Sequence, residues 1–260
     1  MIRWNVDPNI FHIGPWAIRW YGLFFMVSFI GGIFLFDWIY KKENESPGNI
    51  NRLLLYMMIG TMAGARIGHC LFYDPIYYFS NPLDIFKIWE GGLASHGAAI
   101  GILLALYWYS RSHTDKPYLW LLDRMAIPIA LAGTLIRIGN FFNSEIIGIP
   151  TQLPWAVVFE RVDQLPRHPA QLYEASVCFL TFAILIAVYK NRNTQTPRGM
   201  LLGLFLLLVF GSRFFLEFIK EDQSAFEHGM ILNMGQILSI PAILIGLFIF
   251  FRALRELRHV

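Results

Sequence analysis

Arg213 and Glu217 stand one helical turn apart in a long apolar run, Arg66 and His69 share another, and His96 opens a third within Gly91-Gly92-Leu93-Ala94-Ser95-His96-Gly97-Ala98-Ala99. A further segment, Arg137-Ile138-Gly139-Asn140-Phe141-Phe142-Asn143-Ser144-Glu145, crowds one arginine, two amides and a carboxylate at what reads as a helix end. Arginine presents a planar fork of N–H donors that suits an oxyanion, and histidine changes charge near neutral pH, which equips it to take or hold a proton. No Ser-His-Asp or Cys-His arrangement accompanies these groups, so a nucleophile of the chain's own is not indicated. Cys70 and Cys178 both lie inside apolar runs, which supports neither a disulfide framework nor a zinc site.

The elements that must position these side chains follow from composition. Of 260 residues, 56% are hydrophobic and only 15% charged, against about 25% charged in an ordinary soluble chain. That excludes a disordered chain, a nucleic-acid-binding domain and most cytosolic enzymes. The net charge of +3 is too small to indicate a polyanion partner. Seven stretches reach the roughly 20 residues of helix needed to cross a hydrocarbon core: Tyr21 to Tyr40, Leu53 to Tyr73, Gly91 to Ser110, Tyr118 to Ile138, Leu172 to Tyr189, Gly199 to Ile219 and Asn233 to Phe251. Their apolar runs do not alternate as the strands of an outer-membrane barrel must. The expected fold is therefore an all-α membrane protein, a bundle of seven transmembrane helices forming one integral membrane domain over residues 1–260. The first residues lack the uninterrupted apolar core and small-residue cleavage site of a removable signal peptide.

Positive charge orients the bundle. Alternate connections hold Lys41, Lys42, Arg52, Arg111, Lys116, Lys190, Arg192, Arg198, Arg252, Arg255 and Arg258 on one side, 11 residues, and Arg3, Arg19, Lys87, Arg161, Arg167 and Lys220 on the other, 6 residues. The richer side is expected in the cytoplasm, with the N-terminus outside and the C-terminus inside. Residues 139–171 then form a small extracytoplasmic head, in which Ile149 to Phe159 reads as a short hairpin or lid with Pro150 and Pro154 as turn signals. On this reading Tyr21, Arg66, His69, His96, Arg137, Glu174, Arg213 and Glu217 all lie in the outer half of the bilayer. An ionisable side chain in a bilayer costs at least about 2.5 to 3.5 kcal/mol, so several at one depth point to a polar cavity opening to the outer leaflet. Plainer readings exist for each: an ion pair tethering helices for Arg213 and Glu217, snorkelling for Arg66, a packed imidazole for His96, and a solvated polar C-cap for residues 137–145. Around His96 the glycines and alanines favour function, because they let another backbone or a lipid headgroup approach the ring. A transporter or channel for an anionic solute, with the arginines as its selectivity site, is the alternative; the lack of an inverted repeat and of paired interrupted helices weighs against it.

The motifs also carry a resemblance. Gly64-Ala65-Arg66-Ile67-Gly68, Ser95-His96-Gly97, Arg137-Ile138-Gly139-Asn140-Phe141 through Asn143 and Glu145, Arg167-His168-Pro169-Ala170-Gln171-Leu172-Tyr173-Glu174, Arg213-Phe214 with Glu217, and Gly235-Gln236-Ile237-Leu238-Ser239 run in order along the chain. With Ile13-Gly14-Pro15 and Trp20-Tyr21-Gly22 they resemble the bacterial phosphatidylglycerol:prolipoprotein diacylglyceryl transferases from about residue 10 to about residue 241. Three positions depart from that pattern: Ala98 stands for a glycine, Ile136 for a glycine before the arginine, and Ile219-Lys220 for Phe-Arg.

The resemblance implies a reaction: a diacylglyceryl group passes from phosphatidylglycerol to the thiol of the lipobox cysteine of a prolipoprotein signal peptide, forming a thioether and releasing glycerol phosphate. It implies Arg137 and Arg213 at the lipid phosphate and leaving group, and His96 as base or thiolate stabiliser. Asn140, Asn143 and Glu145 would hold the glycerol headgroup. Arg66 is expected to bind substrate, Glu217 to orient Arg213, and Tyr21 to line the cavity. No metal, cofactor or nucleic acid is implied. The expected setting is the bacterial cytoplasmic (inner) membrane, and a monomer is expected because one chain holds the whole site.

Overall fold

The protein is described by a computed structural model over residues 2–14, 16–45, 48–88, 91–192, 195–222, 227 and 229–258; Pro15 of the N-terminal motif lies outside the described residues. It is mostly helical: α1 (Trp20–Lys42), α2 (Gly48–Phe72), α3 (Pro75–Ser80), α4 (Ser95–Ser112), α5 (Tyr118–Asn143), α6 (Ala170–Asn191), α7 (Met200–Leu216) and α8 (Met234–Arg258). Among the described residues α1, α5, α6, α7 and α8 are long and apolar enough to cross a membrane. Helices α2 and α4 cover the second and third expected spans, with polar residues and glycines diluting their apolar character. α4 begins four residues later than expected because Gly91 and Gly92 take left-handed φ values of 89° and 70°, which end any regular helix there.

Two short sheets add to the all-α expectation. β1 (Ile2–Trp4) pairs in parallel with β4 (Val157–Phe159), which pairs antiparallel with β5 (Pro166–Arg167). β2 (Asn9–Ile13) and β3 (Trp16–Arg19) form a separate hairpin. Within 149–159, only the last residues are strand, and their partners are the chain's start and residues 166–167 rather than a local hairpin. Two to five residues are too few to show a period, and the β1–β4 pairing joins distant parts of the chain. Phe141, Ile147, Val157 and Phe159 form the apolar core beneath this sheet, with Trp4, Phe142 and Leu172 packed against it.

The residues group into two compact units, Met1–Phe36 with Asp123–Val260, and Asp37–Leu122. In the second unit α2 and α4 meet through small residues. A Cβ at Gly60 would stand 2.6 Å from the Ala105 Cβ, one at Gly68 would stand 2.6 Å from the Gly97 Cα, and one at Gly101 would collide with the Gly60 carbonyl oxygen and the Gly64 Cα at 2.9 Å. Glycine and alanine four residues apart on both helices thus allow backbone contact, the packing that joins helices where no hydrophobic force acts between them. Gly101→Leu should force the helices apart and cost about 1–3 kcal/mol or more, whereas Gly211→Ala, whose Cβ meets nothing within 4 Å, should leave the melting temperature unchanged or raised. Thermal unfolding in detergent checks the pair, and equal melting points for Gly101→Leu and the parent would contradict this packing account.

In the first unit α1 crosses α5 where Gly31 faces Leu131 and Gly32 faces Pro128. Gly133 of α5 lets Cys178 of α6 approach, and α7 packs on both α6 and α8. Asp123, fully buried beside Arg124 at 3.1 Å, accepts the main-chain N–H of Leu202 at 2.8 Å. This ties the start of α5 to the first turn of α7. At 1.5 Å per residue, Arg137 then lies about 21 Å along α5 and Arg213 about 17 Å along α7 from that tie, so the two arginines reach similar heights.

Candidate active site

Helix α5 ends in a turn that holds its polar groups in place. Arg137 Nη1 donates to Asn140 Oδ1 at 3.4 Å, Asn140 Nδ2 donates to Glu145 Oε2 at 3.2 Å, and Asn143 Nδ2 donates to Glu145 Oε1 at 3.1 Å. The backbone doubles back to allow this: Glu145 N–H bonds the Asn140 carbonyl at 3.0 Å, and Gln171 Nε2 bonds the Glu145 carbonyl at 2.6 Å. Ser144 and Ile146 both have φ of 56°. For a β-branched isoleucine that conformation is an outlier costing of order 1–3 kcal/mol, of the kind that surrounding structure must over-determine. Tyr21 stands against the same helix, because a Cβ at Gly139 would be 3.0 Å from its ring.

A second group faces Arg137. Its Nε lies 3.0 Å from Glu174 Oε2 on α6, close enough for charge attraction but misaligned, so that buried oxygen lacks a hydrogen-bond donor among the described residues. Arg213, 35% exposed, has its Nε 3.9 Å from Glu217 Oε2 and likewise lacks an aligned acceptor there. Between the two carboxylates sits Lys220, whose Nζ donates to Glu217 Oε2 at 2.9 Å and Glu174 Oε1 at 3.3 Å. Its side chain is 2% exposed. Gly235 at the start of α8 leaves room for the Glu217 carboxylate, since a Cβ there would collide with Glu217 Cδ and Oε1.

Arg137 and Arg213 line one cavity of about 50 Å³ together with Glu174, Cys178, Val209 and Ser212. This is the volume of one or two waters, bounded by Arg213 Nε, a buried donor without an acceptor, and Glu174 Oε2, a buried acceptor without an aligned donor, among the described residues. Such a place suits an oxygen of an oxyanion, because buried donors without acceptors are costly until an anion supplies them.

The other expected residues belong to the Asp37–Leu122 unit. Arg66, 4% exposed, donates its guanidinium to the carbonyls of Asp84 at 2.6 Å, Ile85 at 2.9 Å, Gly91 at 2.6 Å and Gly92 at 3.3 Å. It stands 5.1 Å from the Tyr78 ring. The guanidinium thus holds the segment that leads into α4. His69 stacks on Tyr73, and Gly92 fits against both His69 and Arg66. Hydrogen bonds from Lys87 and Tyr77 keep the Asp84 carboxyl below its usual range. His96 lies exposed on the first turn of α4, beside Gly97, which packs on Gly64 and Gly68. A wholly separate cleft of about 440 Å³ along α2 and α4 is lined by Leu55, Ile59, Ile67, Leu104 and Trp108 among others and carries no charged side chain.

The head fixes the position of Lys220. Gly148 and Lys220 form an antiparallel bridge, with Ile149 N–H on the Ile219 carbonyl at 3.0 Å and Glu221 N–H on the Ile147 carbonyl at 3.2 Å. Arg167 closes this clamp through Asp163, Glu221 and the Gly148 carbonyl. Its guanidinium holds the Asp163 carboxyl below the usual range and is itself raised by Asp163. A carboxylate with a depressed folded pKa stabilises the fold above its unfolded value and loses that contribution only as pH falls through the folded one, so the clamp persists through neutral and mildly acidic pH.

Sequence reasoning singled out Arg137, Asn140, Asn143 and Glu145, which hydrogen bonds bring together, and Arg213 with Glu217, which face each other at longer range. It noted Lys220 only as an outer-side charge and a departure from the family pattern, and gave neither Lys220 nor Glu174 a role in the site. The signal for Lys220 was its place three residues after Glu217 at the end of an apolar run.

Residues 8–252 match the family model for prolipoprotein diacylglyceryl transferase. Similar curated proteins include the phosphatidylglycerol--prolipoprotein diacylglyceryl transferases of Chloroherpeton thalassium, 49% identical over 98% of this chain and 95% of the relative, and of Tolumonas auensis, 48% identical over 98% and 99%. That of Porphyromonas gingivalis is 44% identical over 98% of this chain and 95% of its own length.

Proposed function

The chain belongs to the prolipoprotein diacylglyceryl transferase family, and from that premise we propose that it moves the diacylglyceryl group of phosphatidylglycerol to the lipobox cysteine of a prolipoprotein. The relatives are named for those two substrates. The thiol loses its proton, its sulfur bonds the glycerol carbon that carried the phosphate, and the carbon–oxygen bond breaks to release glycerol phosphate. The observation that supports this best is the cavity where Arg137 and Arg213 meet, with Arg213 Nε lacking an acceptor among the described residues. Charge on the departing phosphate grows along this path, and preorganised guanidinium groups stabilise it without reorganisation.

In this reading Arg137 and Arg213 hold the phosphate, Asn140, Asn143 and Glu145 hold the headgroup glycerol, and Tyr21 shapes the cavity wall. Glu217 orients Arg213, and His96 takes the thiol proton or stabilises the thiolate. Arg66 contributes to substrate binding, with residues 84–85 and 91–92 held by its guanidinium. Purified protein, given phosphatidylglycerol and a lipobox peptide, should add a diacylglyceryl mass to the peptide; with phosphatidylethanolamine in its place the peptide should stay unmodified. A peptide unmodified with either lipid would end the proposal.

The remaining architecture is part of the same reading: a single membrane domain of seven spans with α2 and α4 as the second and third, a monomer, in the cytoplasmic (inner) membrane of a bacterium. The N-terminus and the 139–171 segment face outward. The excess of positive charge on alternate connections supports this orientation. A cysteine placed at Gln152 should react with a membrane-impermeant maleimide in intact cells, and one at Asp115 only after permeabilisation. Labelling of both without permeabilisation would refute the orientation.

A further inference from the structure

Lys220 is the one lysine in the outer polar cluster among the described residues, and its surroundings give it a task that the reaction chemistry does not by itself require. The charges run in alternation, Arg137, Glu174, Lys220, Glu217, Arg213, with a guanidinium at each end and the ammonium in the centre. Each carboxylate is shared between Lys220 and one arginine. The sharing is uneven at Glu217: Oε2 takes a hydrogen bond from Lys220 at 2.9 Å, while Arg213 Nε stays 3.9 Å from the same oxygen without one. At Glu174 Lys220 takes Oε1 and Arg137 stands misaligned at Oε2.

We propose that Lys220 is a positioning residue for lipid capture: by occupying Glu174 and Glu217 it keeps Arg137 and Arg213 from closing onto them, and so leaves guanidinium donors for the phosphodiester. This rests on the functional reading above. A carboxylate and a guanidinium in a water-poor site form strong bidentate pairs when nothing competes. Without the central ammonium, two such pairs would form and the anion would have to break them. The head enforces the arrangement, since the Gly148–Lys220 bridge and the Arg167 clamp fix the main chain on either side of Lys220. A residue with no main-chain anchor would be free to leave the carboxylates to the arginines.

Those pairs would form in the free enzyme and must break before the phosphodiester can bind, so their cost is met on lipid binding and should appear in KM rather than kcat. Steady-state transfer would be measured in mixed micelles with phosphatidylglycerol varied as mole fraction and lipobox peptide saturating. Lys220→Met should raise the apparent KM for the lipid by about tenfold, the loss of one good charge-assisted contact, with kcat changed much less. Lys220→Arg should stay near the parent. Lys220→Met combined with Glu174→Gln removes the carboxylate that would capture Arg137, and should bring KM back to within about threefold of the parent.

A purely structural lysine would lower the melting temperature and the amount of active enzyme without moving KM, and the second substitution would not restore affinity. If Lys220→Met alone does not fold, the double variant is read by itself: a KM within about threefold of the parent supports the proposal, and a rise of tenfold or more overturns it. An unchanged KM in folded Lys220→Met, or an equal defect in Lys220→Arg, also overturns it. A parent enzyme that modifies no peptide would instead overturn the functional reading, which separates the two failures.

Discussion

Replacing Arg137 or Arg213 by lysine is expected to lower diacylglyceryl transfer by tenfold or more at equal expression, about the effect of losing one transition-state donor worth a few kcal/mol. Charge survives the substitution; geometry does not. Lysine offers a point charge on a flexible stem in place of a planar fork. Arg137 divides its donors between Asn140 Oδ1, the neighbourhood of Glu174 and the cavity. An ammonium cannot face all three. Arg213 has an unused Nε at the cavity's edge, and lysine at that position would be drawn to Glu217 one turn away. Rates with saturating lipid and peptide check both variants, and a full rate in either lysine variant would remove that arginine from the chemistry.

Replacing His96 by glutamine is expected to cut the rate at neutral pH by about tenfold or more, within the range for loss of a general base, while the melting temperature changes little. His96 is exposed on the first turn of α4 and supports no buried packing, so its removal leaves the Gly97 contacts with Gly64 and Gly68 intact. The deficit should shrink as pH rises toward and past about 8.5, where a free thiol ionises without help. A rate profile across pH for parent and variant measures this. A parallel offset at every pH would assign His96 to lipid contact or packing and leave the arginine field as the source of thiolate.

Much of this arrangement is legible in the chain because lipid imposes a simple rule. Long apolar runs become helices when no water is present to satisfy the backbone, so the sequence positions of α1, α5, α6, α7 and α8 follow from hydropathy. The polar end of α5 is legible for a related reason: Arg137, Asn140, Asn143 and Glu145 lie within nine residues, and local spacing limits which partners they can reach. Long-range partners are another matter. Lys220 reads as a loop charge until Glu174, 46 residues away, is found beside it. The carbonyl partners of Arg66, on Asp84, Ile85, Gly91 and Gly92, lie 18 to 26 residues further along the chain. The head sheet joins β1 to β4 across most of the chain, and strands of three residues show no periodicity from which to infer the pairing. In each case residue type announces a polar contact, and only tertiary structure selects its partner.

The most direct measurement compares parent protein and Arg137→Ala, purified in detergent and given phosphatidylglycerol with a lipobox peptide, read by the mass of the peptide and by released glycerol phosphate. The parent should yield the diacylglyceryl thioether and glycerol phosphate in equal amounts, and Arg137→Ala should lose about 10²-fold or more of that rate, the cost of an oxyanion donor, with its melting temperature retained. Equal rates in the two proteins, or thioether formation without release of glycerol phosphate, would contradict the proposed mechanism.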